Sequence, residues 1–576
     1  MNSRAPSFAE LFTPKLVTIL REGYGPAQFR NDVIAGLTVA VVALPLSMAI
    51  AIASGATPAQ GLVTAIVGGF FVSALGGSRF QIGGPAGAFI VLVGATIAEH
   101  GMDGAILAVL LSGVLLVIAG YLRLGTYVKF IPYPVTVGFT AGIAAIIFAS
   151  QIKDLLGLTL AGEEPRPILE KIPVLWDALP TLDGTTVALA VATIAIAEGV
   201  KRLRPHWPGL LIAVTAAAAA TAIFGLNVAT IGSQFGGIPA SLPMPQLPDL
   251  SWAKIVSVMP AAVGFAVLGA IESLLSAVVA DGMTGRRHRA NCELVGQGFA
   301  NVASALFGGI CVTGTIARTA TNVRSGAHGP IAGMLHALFL LAFVLLAAPL
   351  AAYIPLAALA GVLALVAWNM VEKHAFAVLL RASPGDAAVL MSTFLLTMFR
   401  DLIEAIVVGF ALGSALFIHR MSQTTAVASE TPFVSEDRAD DADGTRQGYD
   451  ERTANDPEIV VYRITGAFFF GAAASIGAVL ERIADTHRAL VVDFAAVPFV
   501  DSTAAHTIEG LMHQAARRNV KLVITGASPA VRRDLAAHDI AAPAVAFEAS
   551  IETALAGLRT GPSAAISAGE PVRGSA

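Results

Sequence analysis

From residue 31 to about residue 420 the chain alternates long apolar runs with short polar stretches. A helix needs about 20 apolar residues to cross the hydrocarbon core of a bilayer. The runs predict a polytopic α-helical membrane domain over 31–420. Its fourteen predicted membrane segments lie at 31–53, 57–76, 85–98, 102–121, 130–150, 183–200, 207–226, 255–280, 291–308, 315–325, 328–350, 353–370, 384–399 and 401–419. An even number of segments places both ends of the domain on the same side of the membrane.

Basic residues indicate which side that is. Clusters at 201–204 and 286–289 fall in loops on the side of the N-terminus, whereas the long loop 227–251 on the other side has no Lys or Arg. Loops that carry an excess of Lys and Arg lie in the cytoplasm. We therefore expect both termini to be cytoplasmic, residues 1–30 to form a cytoplasmic N-terminal segment, and the chain to lie in the inner cell membrane.

Composition agrees with a membrane protein and argues against several other classes. The chain is 55% hydrophobic and 13% charged, whereas a soluble protein keeps roughly a quarter of its residues charged. A net charge of −4 gives no indication of nucleic-acid binding. Cys292 and Cys311 both lie in apolar segments, so we expect neither a disulfide framework nor a metal site. We expect no cofactor and, because no nucleophile–base arrangement is present in the sequence, no enzymatic activity.

Two of the fourteen segments are too short and too glycine-rich to span the membrane from one face. Segment three follows GGPAG at 83–87, and segment ten follows GGICVTG at 308–314. Seven segments separate them, as expected for two seven-segment halves related by an inverted repeat. Paired, interrupted segments indicate the binding site of a secondary transporter, because irregular backbone at membrane depth must line a cavity or be buried in protein.

Each interrupted helix presents free N–H groups and the positive end of its dipole to the middle of the membrane, which predicts an anion site. Arg318, in the first turn of segment ten, adds a full positive charge. The alternative is an arginine that snorkels to the interface or is paired structurally. Glu272 in segment eight is a carboxyl suited to taking and releasing protons. The alternative is a fixed ion pair with Arg318 that holds the two halves together. Ser276 lies one turn later on the same face and could instead bond the backbone of its own helix.

The pattern changes after residue 420. Residues 421–456 are acidic and polar, which predicts a disordered linker. The runs EIVVYRITG, ALVVDFAAV and VKLVITGA that follow are typical of short buried strands. Helix-like segments alternate with them near 472–486, 502–518 and 528–537. We therefore expect a small α/β domain over 457–560 and a disordered tail over 561–576.

These motifs together resemble the SulP family of sulfate permeases and multi-anion exchangers, which includes solute carrier 26 of animals. The resemblance runs from Asn31 to about residue 560. It rests on DVIAGLTVAVVALPLSMAIAIASG, GLVTAIVGGFFVSALGGSRFQIGGPAGAF, ELVGQGFANVASALFGGICVTGTIARTATN and a C-terminal STAS-type domain. It implies a 7+7 inverted-repeat fold with a mobile core domain, a gate domain and a homodimeric assembly.

The resemblance also implies an anion held between segments three and ten, close to segments one and eight. Carried over by motif, the substrate-binding residues are Leu46, Ile50, Ala86, Gly87, Glu272, Ser276, Thr315, Ala317 and Arg318. Glu272 and Ser276 would also serve the coupling ion. Many members have a glutamine at the position of Leu46 and a serine at that of Ala317. Both departures remove side-chain hydrogen-bond partners, which leaves recognition more to backbone N–H groups.

The run VDFAAVPFVDSTAAHTIEGL resembles the STAS signature. In anti-sigma-factor antagonists the residue that matches Thr503 is phosphorylated, and a phosphate at a helix N-terminus is electrostatically favourable. The alternative is that Ser502 or Thr503 only caps the helix that begins there. A domain of this type could also bind a cytoplasmic protein partner.

We expect secondary active uptake of sulfate or a similar inorganic anion, coupled to H⁺, by elevator-type or rocking alternating access. An inside-negative potential of about 100 mV opposes entry of each negative charge by about 2.3 kcal/mol, so uptake of a divalent anion needs a coupling ion. One carboxyl, Glu272, accounts for one proton. Alternatives among transporters are Na⁺-coupled bicarbonate uptake, H⁺-coupled dicarboxylate uptake and uncoupled chloride conduction. From a different class, a STAS-based membrane signalling scaffold remains an alternative.

Overall fold

The computed structural model describes residues 7–127, 132–162, 164–165, 167–204, 207–400, 402–423, 426–429, 458–469 and 488–560. The chain divides into two compact units, Met1–Gly413 and Ser414–Ala576. The first unit is almost entirely helical where it is described. The second contains a five-stranded sheet with helices on both faces.

The first half of the membrane region holds the helices up to α10. They are α1 (Phe8–Phe12), α2 (Lys15–Glu22), α3 (Pro26–Ala53), α4 (Pro58–Val63), α5 (Gly69–Leu75), α6 (Ile90–Tyr121), α7 (Tyr133–Leu156), α8 (Ile168–Asp177), α9 (Gly184–Leu203) and α10 (Gly209–Phe224). A π-helical turn, Thr64–Gly68, joins α4 to α5, and a 3₁₀ turn, Gly87–Phe89, precedes α6. At Gly101 the φ angle of +72° interrupts α6, so α6 makes two of the predicted membrane segments.

The second half follows the same plan. Its helices are α11 (Ile231–Phe235), α12 (Trp252–Thr284), α13 (Ala290–Leu306), α14 (Ile316–Arg324), α15 (Ile331–Ala351), α16 (Leu356–Met370), α17 (Lys373–Ala382), α18 (Pro384–Phe399) and α19 (Leu402–Gln423). Each of the fourteen predicted segments coincides with a helical stretch of the first or the second half. The short helices α8, α11 and α17 were not predicted.

Eight helical stretches of the described chain are long and apolar enough to cross a membrane. Two further apolar helices, α10 and α18, are shorter. The remaining predicted segments are α9, α13, α14 and the second part of the interrupted α6. The chain is therefore a polytopic α-helical membrane protein, as the apolar runs predicted.

The helices of the first unit pack into two groups. In the first, here called the core group, α6 packs against α12 and α13, α15 packs against α3 and α5, and α14 packs against α12 and α3. In the second, the gate group, α7 packs against α16 and α18, and α9 packs against α10 and α16. Each group draws helices from both halves of the chain, as an inverted repeat requires.

The N-terminal helices α1 and α2 bind one end of the core group. Arg289, directly before α13, donates through Nη1 to the carbonyl of Thr13 and to Thr18 Oγ1, both at 2.8 Å. Arg79, which is buried, forms an ion pair with Glu22 at the end of α2. The hydrogen bond from Arg79 holds the pKa of Glu22 below its ordinary value. The N-terminal segment is thus attached to the ends of both halves.

The second unit is a small α/β domain, as predicted. Its sheet has the order β3 (Ala426–Ser429), β4 (Ile459–Thr465), β5 (Ala489–Ala496), β6 (Lys521–Thr525) and β7 (Ala546–Glu548). Strand β3 is antiparallel to β4, and the other neighbours are parallel. Alternate side chains of the strands pack on helices Ser502–Arg517 and Pro529–Ala536 on one face and on Ile551–Thr560 on the other.

The structure corrects several expectations for the C-terminal region. The linker expected to be disordered over 421–456 has secondary structure at its start: α19 runs to Gln423, and residues 426–429 form the edge strand β3. Strand β7 and the helix Ile551–Thr560 were not predicted. The helix expected near 472–486, the tail 561–576 and most of the linker lie outside the described residues.

Candidate functional site

The two interrupted segments meet in the interior of the core group. Before each interrupted helix lies a two-residue strand, β1 (Gly83–Gly84) before α6 and β2 (Thr313–Gly314) before α14. These strands pair antiparallel, with Gly83 opposite Gly314 and Gly84 opposite Thr313. The N–H of Thr315 extends the pairing, since it donates to the carbonyl of Ile82 at 3.0 Å. The irregular backbone expected at membrane depth is therefore paired and buried.

Glycine is required at two positions of this crossing because side chains pass against the backbone. A Cβ atom on Gly84 would overlap Nη1 of Arg318. A Cβ atom on Gly314 would overlap Nε2 of Gln81. No side chain larger than hydrogen fits at either position without displacing its neighbour, so the glycines of both motifs have a packing role.

Polar side chains of α13 keep the second break extended. The side chain of Asn301 accepts from the N–H of Val312 at 3.0 Å and donates to its carbonyl at 2.9 Å, as a neighbouring strand would. Gln297 also donates to the carbonyl of Val312. Ser304 donates to the carbonyl of Ile310 at 2.8 Å. These residues were not singled out in the sequence, although polar side chains spaced three and four apart on an apolar helix are a recognisable signal.

Thr64 supports the same segment from the first half of the chain. Its Oγ1 accepts from the N–H of Ile310 at 2.8 Å. Thr64 lies in the π-helical turn between α4 and α5, where the irregular helix brings the hydroxyl to the break. The break therefore depends on residues almost 250 positions apart in the sequence.

Both interrupted helices begin directly after the crossing. Thr315 occupies the N-cap position of α14, and Ala86 has extended backbone before the 3₁₀ turn that opens α6. The first N–H groups of both helices have no partner within their own helix and carry the positive end of the helix dipole. Because the pairing is antiparallel, the paired breaks place one electropositive helix start at each end of the short crossing.

Arg318 is buried at this point, with 1% of its surface exposed. Its Nη2 donates to Ser47 Oγ on α3 and to the carbonyl of Pro85, both at 3.2 Å. Among the described residues, Nε and Nη1 have no hydrogen-bond partner, and no carboxylate compensates the charge. The snorkelling interpretation is wrong, since the side chain lies within the protein. The guanidinium is a desolvated cation with free N–H donors.

Glu272 is also buried and lies between two contacts of α12, one with the second break and one with α14. One turn before it, the carbonyl of Gly269 accepts from Thr313 Oγ1 at 3.2 Å; one turn after it, Ser276 donates to Thr319 Oγ1 at 3.0 Å. In the described part of the chain Glu272 itself has no ion pair and no hydrogen bond. The fixed ion pair with Arg318 is therefore absent from this structure, and the backbone bond expected as an alternative for Ser276 is replaced by the bond to Thr319.

The other predicted binding residues surround the crossing on its apolar side. Leu46, Ile50 and Ala86 are buried in one continuous apolar cluster. A Cβ atom on Gly87 would lie 2.9 Å from Cδ1 of Ile147 on α7, so the gate group closes against the start of α6. Thr315 is half-buried, and Ala317 is exposed. Ala317 is thus the predicted position with open space beside it.

Three further polar residues of this region were missed by sequence reasoning. Ser47 follows Leu46 and binds Arg318. Thr319 follows Arg318 and accepts from both Ser276 and the N–H of Ile82. His336 on α15 is fully buried, and neither ring nitrogen has a partner among the described residues. The first two could have been found as neighbours of the motif residues, whereas nothing local marks His336.

The candidate modification site of the C-terminal domain is accessible. Thr503 is the second residue of the helix Ser502–Arg517 and is exposed. The capping interpretation needs correction, because Asp501 is the N-cap and accepts from the N–H of Ala504 at 2.8 Å. Within the described residues no group of three or more His, Cys, Asp or Glu side chains is placed to hold a metal ion.

Comparison with known proteins places both units in families. The model of the sulfate permease family matches residues 29–393, and the STAS domain model matches residues 452–554. The chain is 40% identical to the putative sulfate transporter YvdB of Bacillus subtilis over 508 residues, which cover 88% of this chain and 93% of that protein. It is 33% identical to the bicarbonate transporter BicA of Picosynechococcus over 519 residues, 88% of this chain and 90% of that protein.

The solved structure of SLC26A9 superposes on the chain with a TM-score of 0.81, covering 95% of this chain and 92% of that one. At 16% identity this likeness shows the fold alone. Fold, motifs and relatives lead to one conclusion: the chain belongs to the sulfate permease family of multi-pass membrane anion transporters and carries a C-terminal STAS domain.

Proposed function

We propose that the chain is a secondary active transporter that takes up sulfate or a similar inorganic anion together with H⁺. The observation that supports this most is the state of Arg318, buried at the crossing with two N–H-bearing nitrogens unpartnered. A buried charge without a counter-charge is strongly unfavourable. A bound anion would supply that counter-charge and accept the free N–H donors.

The surroundings of Arg318 fit a small oxyanion. The starts of α6 and α14 add backbone N–H groups and helix-dipole charge, which favour an anion without further cationic side chains. Leu46, Ile50 and Ala86 form the apolar side of the site and offer no hydrogen bond. Recognition would thus rest on the guanidinium and the backbone, and Ala317 leaves room beside them.

Coupling to H⁺ is assigned to Glu272. Glu272 lies on α12 between its contacts with the second break and with α14, and its carboxyl has no partner among the described residues. Protonation would remove a negative charge close to the anion, so that proton and anion bind together. Entry of a dianion against 100 mV is opposed by roughly 4.6 kcal/mol, which a coupled proton influx offsets in part.

Alternating access is proposed to occur between the core and gate groups. The anion site belongs to the core group, since its predicted residues lie on α3, α12 and α14 or in the short segments directly before α6 and α14. Ile147 on α7 and Met370 on α16 belong to the gate group and lie opposite Gly87. Movement of the core group past these side chains would carry the anion from one side of the membrane to the other.

The proposal is tested by uptake of radiolabelled sulfate into proteoliposomes with an imposed pH gradient. Arg318→Gln should lower uptake roughly 30-fold or more, because losing a desolvated charge contact costs about 2–5 kcal/mol. Arg324→Gln is the matched control, since Arg324 is exposed at the other end of the same helix. Equal uptake by both variants would contradict the proposed role of Arg318.

A second candidate is Na⁺-coupled bicarbonate uptake. It is favoured by the 33% identity to BicA and by the acid and hydroxyl at Glu272 and Ser276, which could bind Na⁺. Replacing Na⁺ by an impermeant cation while comparing sulfate, bicarbonate and dicarboxylates distinguishes the candidates. A chain with no transport but preserved partner binding would instead point to a STAS-based signalling scaffold.

We further infer a location and an assembly. The excess of Lys and Arg at 201–204 and 286–289 supports an inner-membrane protein with both termini cytoplasmic. Membership of the family supports a homodimer. Phosphorylation of the exposed Thr503 would place a negative charge at a helix N-terminus. A protein partner that binds the STAS domain could recognise that charge.

A further inference from the structure

A second buried carboxyl, Glu293, lies in the core group outside the site described so far. It is one turn into α13 and has no exposed surface. Its Oε2 accepts from the N–H of Ser78 at 2.9 Å, and the N–H of Gly77 also donates to the carboxylate. Its Oε1 accepts from Ser273 Oγ at 3.3 Å. All of these donors are neutral, so the negative charge is hydrogen-bonded but not compensated.

A chain of hydrogen bonds connects Glu293 to the crossing of the two breaks. Gln81 Nε2 donates to Ser273 Oγ at 2.6 Å, and Ser273 donates to Glu293. Gln81 passes directly against Gly314 of β2. Ser273 is the residue after Glu272 on α12. The state of Glu293 is therefore transmitted by two side chains to the backbone on which the anion site is built.

One atom of this chain is unsatisfied in the present arrangement. Gln81 Oε1 is buried and has no hydrogen-bond partner among the described residues. If Glu293 were protonated, it could donate to Ser273 Oγ, and the serine hydroxyl would then need an acceptor. Turning the amide of Gln81 would present Oε1 as that acceptor. The relay thus has two hydrogen-bonded arrangements, one for each protonation state of Glu293.

No charged neighbour among the described residues fixes the protonation state of Glu293. The charged and titratable groups on the elements packed around Glu293 are Lys254, Glu272 and Asp281 on α12, Glu99, His100, Asp103 and Tyr121 on α6, Glu10 on α1, Lys15 on α2, Arg289 and Cys292 at the start of α13, and Arg79 before the first break. Asp281 is bound to His288, Arg79 to Glu22, and Arg289 to the N-terminal segment. In the described part of the chain none of these cations forms an ion pair with Glu293.

We propose that Glu293 is a second proton-binding site of the transport cycle, coupled to the anion site through Ser273 and Gln81. The inference rests on the proposed function. A proton at Glu272 and a proton at Glu293 together balance the two charges of a sulfate dianion. In the step itself, the Glu293 carboxylate takes one proton to become a carboxylic acid, and it returns that proton on the other side of the membrane.

The test is the number of protons moved per anion in proteoliposomes that contain the full-length chain. With the membrane potential held at zero and a pH difference of one unit, two protons accumulate sulfate about 100-fold and one proton about 10-fold at equilibrium. We expect about 100-fold for the unaltered protein and about 10-fold for Glu293→Gln. Glu99→Gln is the matched control, since Glu99 is exposed on α6, and should remain at about 100-fold.

Sulfate exchange at equal pH on both sides shows whether the variant still transports. Glu293→Gln should retain exchange, because glutamine has nearly the shape of the protonated acid. Loss of exchange together with accumulation would indicate a structural role and overturn the inference, as would an unchanged 100-fold ratio. A ratio of about 10-fold in the unaltered protein overturns the inference alone, whereas absence of pH-driven accumulation there overturns the proposed function as well.

A second variant tests the relay itself. Ser273→Ala keeps both carboxyls but removes the hydroxyl that joins Glu293 to Gln81. The accumulation ratio should fall toward 10-fold while exchange persists. A ratio that stays near 100-fold would show that Glu293 is not coupled to the crossing by this route and would contradict the mechanism.

Discussion

Asn301 offers a quantitative test of how the second break is held. Its side chain is fully buried and makes two hydrogen bonds with the backbone of Val312, one to the N–H and one to the carbonyl. The carbonyl also accepts from Gln297, but the N–H has no other acceptor among the described residues. Replacing Asn301 therefore leaves the Val312 N–H unsatisfied, and it also removes the acceptor of a weaker buried donor, the Cys311 thiol, which bonds Asn301 Oδ1 at 3.3 Å.

An unsatisfied buried donor costs about 1–3 kcal/mol. Asn301→Leu keeps the number and branching of the side-chain heavy atoms and leaves no cavity, so its loss of stability should be at least in this range, since the larger methyl groups add a packing cost. Asn301→Ala adds a cavity and should be less stable than the leucine variant. Because Val312 adjoins β2, either change should also displace the start of α14 and reduce transport.

The measurements are the free energy of unfolding in detergent by denaturant titration and sulfate uptake into proteoliposomes. Asn369→Ala is the control, because Asn369 is exposed and bonds only a carbonyl of its own helix at 2.9 Å. Its stability should change by no more than about 0.5 kcal/mol. The reasoning would be refuted if Asn301→Leu were as stable as this control. It would also be refuted if Asn301→Leu lost stability but took up sulfate normally.

Three further outcomes are expected. Gly84→Ala should lose transport while the chain stays folded, since the added Cβ displaces the guanidinium of Arg318. The control is Gly199→Ala, which has open space around the new Cβ. Sulfate uptake is measured for both variants. Glu272→Gln should remove the proton carried at Glu272, so that the pH-driven accumulation of sulfate in proteoliposomes falls about tenfold while anion binding is spared; an accumulation ratio equal to that of the unaltered protein would contradict this role. Glu22→Gln should lower the melting temperature at neutral pH only. The pKa of Glu22 is lowered in the folded state, so its contribution is present above its ordinary pKa of 4.5 and is lost as pH falls through the folded value. An equal difference at low pH would argue against this linkage.

Much of the architecture was predictable from local sequence. The fourteen apolar runs, the two glycine-rich interruptions and the strands at 459–465, 489–496 and 521–525 all follow from short-range patterns, because hydrophobic periodicity reports directly on whether a segment is buried in lipid or in a sheet. Arg318 could also be identified, since an arginine within an apolar segment stands out by composition alone.

The contacts that hold these elements together exist only in the folded chain. The acceptor of the Val312 N–H, the relay from Gln81 to Glu293 and the contact of Thr64 with Ile310 join residues between about 10 and 250 positions apart. A local sequence pattern does not show which distant residues become such partners. Glu293 was overlooked because a carboxyl near the end of an apolar run resembles an interfacial residue until its burial is known. The edge strand β3 was overlooked because its partner β4 lies beyond a polar stretch. The positions of the helix breaks follow from the glycine-rich motifs alone. That the breaks meet, and that Arg318 has no counter-charge among the described residues, depends on which distant groups pack beside them in the folded chain.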